Sequence, residues 1–351
     1  MWHSTSTSPS NSSSGSNGSG GLFGQNPLGN GSGSSPSSSA IASIAGKVSP
    51  GLVDIDTDLS YQDGAAAGTG IVVSSSGIVL TNNHVITGAT QIRATDIGNG
   101  HTYAATVVGY DRSHDIAILQ LAQASGLKTV TFADSSKISV GDGVVGLGNA
   151  GGVGGQPSTA GGAVVALNQS ITASDESDGS SEQLAGLIEV NANIKPGDSG
   201  GALANTKGQV IGVDTAASAV FSFQASGGQG FAIPIDQAMT IAHQIQSGQA
   251  TADVHIGPTA FLGVLINAKP TGTSQSGATL AEVVPGKAAA LAGLVAGDTI
   301  TAVAGQAIAS PSALTSLVLR YHPGDKVRVD WVDAAGQSHH GTLTLTPGPA
   351  Q

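Results

Sequence analysis

Along most of the chain, short apolar runs alternate with glycines and turn formers. GTGIVV, GIVLTNN, TYAATVVGY, DIAILQL, GDGVVGLG, GGAVVAL, GLIEVNA, GGALAN, GQVIGVDTA and GFAIPI succeed one another from residue 68, with hardly a helical stretch between them. Runs of this length, broken by turn residues, predict an all-β sandwich or barrel over residues 40–248. The helical period first shows in IDQAMTIAHQIQSG, residues 235–248. There Ile235, Met239, Ile241, Ala242 and Ile245 share a face, and Gly248 is placed to cap the end. The polar, proline-containing stretch QATADVHIGPT follows, and a linker is expected at 249–257. From 258 to 347 the pattern changes to strand, strand, short helix, strand, strand, helix, strand, strand, an α+β unit.

Residues 1–39 are nearly all Ser, Gly, Asn, Thr and Pro. Such a segment cannot bury enough apolar surface to offset its conformational entropy, so a flexible tether is expected. A tether of this length normally connects something, and an upstream anchor or export signal is the first expectation, a free tail the second. No export signal is visible in the sequence, and no apolar stretch approaches the roughly 18 residues of a membrane span.

Composition narrows the partners. Across 351 residues only 10% are charged, the net charge is -11 and no run of Lys or Arg appears. Nucleic acid and anionic membrane surfaces are therefore poor partners for this chain, and no nucleic-acid partner is expected. The absence of cysteine removes disulfides, thiolate metal sites and a Cys nucleophile, and leaves the compartment open.

One hydroxyl stands out. In IKPGDSGGAL, Ser199 sits between an acid and two glycines, just before an apolar run. A Gly-rich turn between strands could produce this string alone, so a nucleophile also requires a base and a group that orients the base. GIVLTNNHVITGAT runs an apolar strand into His84, and GYDRSHDIAILQL places Asp115 directly before another strand. The order is His, Asp, Ser. Other polar clusters carry less. His114 precedes Asp115 and should face the opposite way, toward solvent, as should one of the neighbours His339 and His340. Asp54, Asp56 and Asp58 have calcium-loop spacing, but Leu59 and Ala65 stand where that loop needs Gly and Glu. Gly146, Gly148 and Gly151 match a dinucleotide fingerprint with no helix after it. No cofactor or metal is expected.

TNNHV, DIAIL and GDSGG, in that order, resemble the chymotrypsin-fold serine proteases of the HtrA/Deg type, most closely the exported PepA-type group of mycobacteria. The likeness runs from about residue 45 to the C-terminus. It implies a mainly β protein: two six-stranded barrels with the site in the cleft between them, followed by a PDZ domain. Ser199 would then be the nucleophile, His84 its general base and acid, and Asp115 the group that orients the imidazole. The amides of Gly197 and Ser199 would form the oxyanion hole. The segments 190–196 and 212–218 would bound the substrate pocket, with Asn193, Ile194, Thr215 and Ala216 lining it. Relatives that cleave after Arg or Lys carry an acid at the position of Asn193, so a small or medium aliphatic side chain is expected, with Asp214 the one dissenter. Asp198 stands where the family usually has asparagine, and what neutralises it is left open.

AGLVAGDTI marks the second unit as resembling a PDZ domain in its bacterial permuted form. Phe261, Leu262, Gly263 and Val264 would be the loop whose amides hold a chain-terminal carboxylate, and Leu314, Leu317 and Val318 would line the pocket for the terminal side chain. The same residues also read as ordinary core. The resemblance implies unfolded proteins or peptides as substrates, an extracytoplasmic setting in protein quality control, and association of like chains, although the upstream aromatics Trp2 and Phe23 lie in the tether. A peptide-binding or chaperone-like module with a latent protease is the alternative function.

Overall fold

The computed structural model describes residues 35–175, 181–215, 221–222, 230–266 and 276–351. It opens on α1 (Ser38–Val48), with Ser37 as N-cap accepting the Ala40 amide at 3.3 Å. Sequence periodicity placed the first helix at 235, and α1 is the difference. Its apolar positions are scattered among Ser, Ala and Gly, and Gly46 costs about 1 kcal/mol of helix propensity. Burial of Ile44 and Val48 decides the matter, since each fully buried aliphatic side chain is worth roughly 1.5–3 kcal/mol.

The first barrel follows as β1 (Leu52–Leu59), β2 (Gly64–Ser74), β3 (Ile78–Thr81), the short helix α2 (Asn83–Ile86), β4 (Gln91–Asp96), β5 (Thr102–Asp111) and β6 (Ile116–Leu121). The strands run in the order β5-β4-β1-β2-β3-β6, and β5 pairs with β6 to close the ring. The second barrel is β7 (Gly143–Gly148), β8 (Ser158–Asp175), β9 (Ser181–Val190), β10 (Ala202–Asn205), β11 (Val210–Thr215), β12 (Phe221–Ser222) and β13 (Gly230–Pro234), with β8 pairing β9 to close it. One buried cluster joins the barrels: Leu52, Ile71 and Leu80 of the first meet Val145, Leu147 and Val213 of the second, and Ile44 and Ile241 pack into it from the two helices.

The helix expected at 235–248 is α3 (Ile235–Gln246), and Gly248 follows it with φ +71°, the left-handed position that ends a helix. Within the stretch read as a linker, β14 (Val254–Ile256) adds to the outer edge of β5, pairing His255 with Tyr110. Three residues of strand are too short a signal to separate from a polar linker by pattern alone.

The C-terminal unit contains β15 (Ala260–Phe261), β16 (Val264–Ile266), β17 (Ala278–Val283), α4 (Ala288–Leu291), β18 (Thr299–Val303), β19 (Gln306–Ala307), α5 (Pro311–Val318), β20 (Lys326–Val332), β21 (Ser338–Thr344) and β22 (Thr346–Pro347). Its sheet runs β16-β17-β18-β20-β21. Ser310 caps α5 by accepting the Ala313 amide, with Pro311 in the first turn. This unit is tied back to the first barrel. Ala350 exchanges backbone hydrogen bonds with Gly88 and Ala89, and the Phe261 ring lies 5.2 Å from that of Tyr61.

His255 sits at this junction, its ring stacked on Tyr110 and on His322. Nδ1 faces the Leu319 carbonyl at 3.0 Å and Nε2 the Pro258 carbonyl at 3.3 Å. Burial, with His322 adding to it, holds its pKa below the ordinary histidine value. The folded chain thus takes up this proton less readily than the unfolded chain. The resulting stability is fully present above the unfolded value near 6.5 and is lost as pH falls through it toward the lower folded one. Thermal melts between pH 8 and 5 should therefore fall more steeply for the wild type than for His255→Gln; coincident profiles would remove His255 from the account.

Candidate active site

Strand β3 delivers the chain to Asn82, Asn83 and His84, where α2 begins. Asp115 stands one residue before β6 with φ +54°, an uncommon conformation for a residue bearing a side chain. Two contacts hold it there: the Asn82 side-chain Nδ2 donates to the Asp115 carbonyl at 2.9 Å, and the Asp115 backbone amide donates to the Arg112 carbonyl at 3.1 Å. The carboxylate then receives the His84 backbone N–H at 2.9 Å on Oδ1. On Oδ2 it faces His84 Nδ1 at 2.9 Å and the Thr215 hydroxyl at 3.3 Å. A carboxylate only accepts, so the proton lies on Nδ1 and the lone pair on Nε2. Both side chains are 7% exposed, which keeps this pair out of bulk water.

Ser199 is 3% exposed, on the tight turn before β10. Its carbonyl accepts the Thr69 amide at 2.8 Å. Gly68, one residue earlier on β2, lies between the two halves of the site: a Cβ there would meet Val85 at 2.6 Å and the Ser199 carbonyl at 3.3 Å. One strand thus brings the chain around His84 and the chain around Ser199 together across the cleft. Gly200 has φ +81°, and a Cβ on it would collide with the Thr69 carbonyl and the Thr81 hydroxyl, so only glycine fits.

The turn ahead of Ser199 is fastened from outside. The Gly151 amide donates to the Pro196 carbonyl at 2.7 Å, and the Thr69 hydroxyl donates to the Gly197 carbonyl at 2.8 Å while accepting the Asn149 amide at 2.8 Å. In a trans peptide the C=O and N–H point to opposite sides. Drawing the Pro196 carbonyl toward Gly151 therefore turns the Gly197 N–H the other way, where it meets no acceptor among the described residues. The glycine-rich loop that mimicked a dinucleotide fingerprint is the piece that fixes this peptide.

Asp198, left without a partner by the sequence, is buried and accepts the Ser158 hydroxyl at 2.8 Å and the Lys195 amide at 2.9 Å. Burial pushes its carboxyl up, and these hydrogen bonds pull it part of the way back.

The expected pocket residues separate. Asn193 is exposed, Ile194 is half-buried, and Thr215 is buried on Asp115, whereas Ala216 lies outside the described residues. In the C-terminal unit, Leu262, Val264, Leu314, Leu317 and Val318 are all buried in one core cluster. Phe261 is half-buried against Tyr61, and Gly263 has φ +81° with Lys287 directly beside it. His114 is 42% exposed and paired with Asp111, and His339 bonds Asp333. Sequence reasoning missed Thr69, Ser158 and Gly151, whose only signal is contact across 40 residues or more.

Residues 68–213 match the trypsin-like peptidase domain family and residues 279–333 the PDZ domain family. The serine protease PepD of Mycobacterium tuberculosis is 35% identical over 327 residues, covering 89% of this chain and 67% of PepD. This chain belongs to the HtrA/Deg family of serine endopeptidases. The periplasmic pH-dependent serine endoprotease DegQ of Escherichia coli is 37% identical over 75% of this chain. The chain spans 55% of DegQ, little more than half its length. Among solved structures, the HtrA-type protease AlgW with a tripeptide is 28% identical with a TM-score of 0.50, covering 90% of this chain and 99% of AlgW. The family bears out the expected mainly β architecture of a chymotrypsin-like protease followed by PDZ. Trp2 and Phe23, on which expected self-association would bear, lie outside the described residues.

Proposed function

We propose that Ser199, His84 and Asp115 act as one unit hydrolysing peptide bonds in unfolded proteins or peptides, outside the cytoplasm. The Ser199 hydroxyl attacks the scissile carbonyl while His84 Nε2 takes its proton. The same imidazole hands that proton to the leaving amine, and water then repeats the sequence to free the acyl group. Asp115 fixes the tautomer and stabilises the imidazolium. The oxyanion forms against the amides of Gly197 and Ser199. The observation that carries this reading is the fastened Pro196–Gly197 peptide: a latent protease would need no amide turned away from every acceptor among the described residues. Digestion of casein by the wild type beside Ser199→Ala, with fluorophosphonate labelling of the first alone, is the test. The periplasmic placement of the relatives supports the extracytoplasmic setting, and no helix among the described residues is long and apolar enough to cross a membrane.

Before the scissile bond, Val, Ala, Ile and Leu should be cut faster than Arg or Lys, because the side chain expected to line that pocket is the apolar, half-buried Ile194. A methylene changes discrimination by only ~1–3 kcal/mol, so the preference among aliphatics should be broad. A peptide library profile led by basic residues in the wild type would refute it.

The PDZ unit reads chain termini in the same proposal. A carboxylate can be held by consecutive amides at Leu262, Gly263 and Val264, with the Lys287 ammonium stem beside Gly263. Calorimetry on wild-type protein should show weaker binding of a peptide with an apolar C-terminus once that terminus is amidated. Equal affinities would leave these residues as core. Gly263→Val is the harsher version, since its Cβ would meet Lys287.

A further inference from the structure

Asp214 is 0% exposed on β11, and neither of its carboxyl oxygens has a well-formed hydrogen-bond partner among the described residues. Its own backbone is fully engaged, donating to Gly201 and accepting from Gly200, which locks it to the turn that carries Ser199. The Leu147 amide beside the carboxyl works against the rise in its pKa. Thr215, next on the strand, commits its hydroxyl to Asp115. The charged group facing Asp214 is Asp198, of the same sign, and burial together with that neighbour pushes the Asp214 carboxyl well up. A buried acid with both oxygens unmet is rare enough in a native core to require an account.

Its position supplies one. A Cβ built on Gly146 would touch Ile194 Cδ1 and lie 3.2 Å from Asp214 Oδ2. A Cβ built on Gly230 would touch Ile194 from the other side. The Ile194 side chain therefore lies between these two glycines, beside the carboxyl, and it is half-buried whereas Asp214 is sealed. Two glycines leave the space that an isoleucine now fills. Removing that side chain would free the space beside an acid with no well-formed partner among the described residues, and what satisfies such an acid is a cation on a flexible stem.

We propose that Ile194 and Asp214 form a two-position selector for the residue before the scissile bond: with Ile194 seated the pocket takes an aliphatic side chain, and with Ile194 displaced a lysine or arginine side chain reaches Asp214. This rests on the protease reading above and adds a second substrate class to it. In the seated position burial and the neighbouring Asp198 disfavour the ionised form of the acid. In the displaced position the incoming cation brings the opposite charge that burial withholds, so the carboxyl ionises as the substrate binds.

The test uses the full chain and fluorogenic peptides that differ only in Val or Lys before the scissile bond. Ile194→Ala should raise the Lys-to-Val ratio of kcat/KM on the order of tenfold or more, and Ile194→Ala with Asp214→Asn should return it to the wild-type value. Benzamidine, an aromatic amidinium, should raise the melting temperature of Ile194→Ala and leave the double variant unmoved. Where Ile194→Ala does not fold, Ile194→Val shifts both readouts the same way by less. An unchanged ratio, or a gain that survives Asp214→Asn, overturns the selector. Failure of fluorophosphonate to label wild-type Ser199 overturns the protease reading instead, and the benzamidine comparison still decides whether Asp214 receives a cation.

Discussion

Ser199→Ala and His84→Ala are each expected to lose on the order of 10⁶-fold in turnover, and combining them should cost little more than either alone. The reason is that the two side chains perform one step between them. An alcohol without a base to take its proton is hardly a nucleophile, and a base without the alcohol has nothing to activate. Asp115→Asn should cost less, on the order of 10⁴-fold, because the imidazole stays near its place while the wrong tautomer is favoured. In this protein Asp115 also accepts the His84 backbone amide and the Thr215 hydroxyl, so the asparagine variant should show a lower melting temperature as well as slower turnover. Single-turnover rates of the four variants on one peptide ester check the set. Losses of Ser199 and His84 that multiply would show two independent contributions and no shared unit.

How much of this was legible depended on whether the signal was local. The strands of both barrels are runs of β-branched and aliphatic residues closed by glycine, and the chain announces them directly. The three motifs were legible for the same reason: each puts a polar residue at the end of an apolar run, where a strand must stop. The helix α1 was not, because Ile41, Ile44 and Val48 are too sparse among small residues to show a period and fold only against the second barrel. The partner of Asp198 was not, because Ser158 lies 40 residues away and is one of many serines in the sequence. The glycines at 146, 148 and 151 match a fingerprint in the sequence, yet the hold of Gly151 on Pro196 is visible only once β7 and the serine turn are side by side. Asp214 shows the limit most sharply. In the sequence it is a dissenting acid in a strand beside the expected pocket, and only the structure shows it buried without a well-formed partner among the described residues.

The second large effect belongs to Gly197. Its φ is +95°, and a Cβ would collide with the Asn149 carbonyl and press on the amides of Gly151 and Gly152, both at 2.9 Å. Gly197→Ala cannot relieve this by moving a side chain, because every atom it meets is backbone. The loop must withdraw, which breaks the Gly151 bond to the Pro196 carbonyl, and the freed peptide can then rotate its N–H out of the site. Losing one preorganised oxyanion donor costs about 10²–10³-fold in turnover. The loss should fall on kcat with KM nearly unchanged, since the donor acts on charge that develops only in the transition state. The His84 and Asp115 pair is built from different elements and should survive, so the variant should still react with fluorophosphonate, more slowly than the wild type and faster than His84→Ala. Thr69→Val removes the hydroxyl that ties Gly197 to Asn149 without adding bulk to the turn, and it should move kcat in the same direction by a smaller factor. If both variants instead raised KM and left kcat alone, the Gly197 amide would be binding substrate in its ground state, and the fastened peptide would belong to the substrate pocket, with no part in the oxyanion hole.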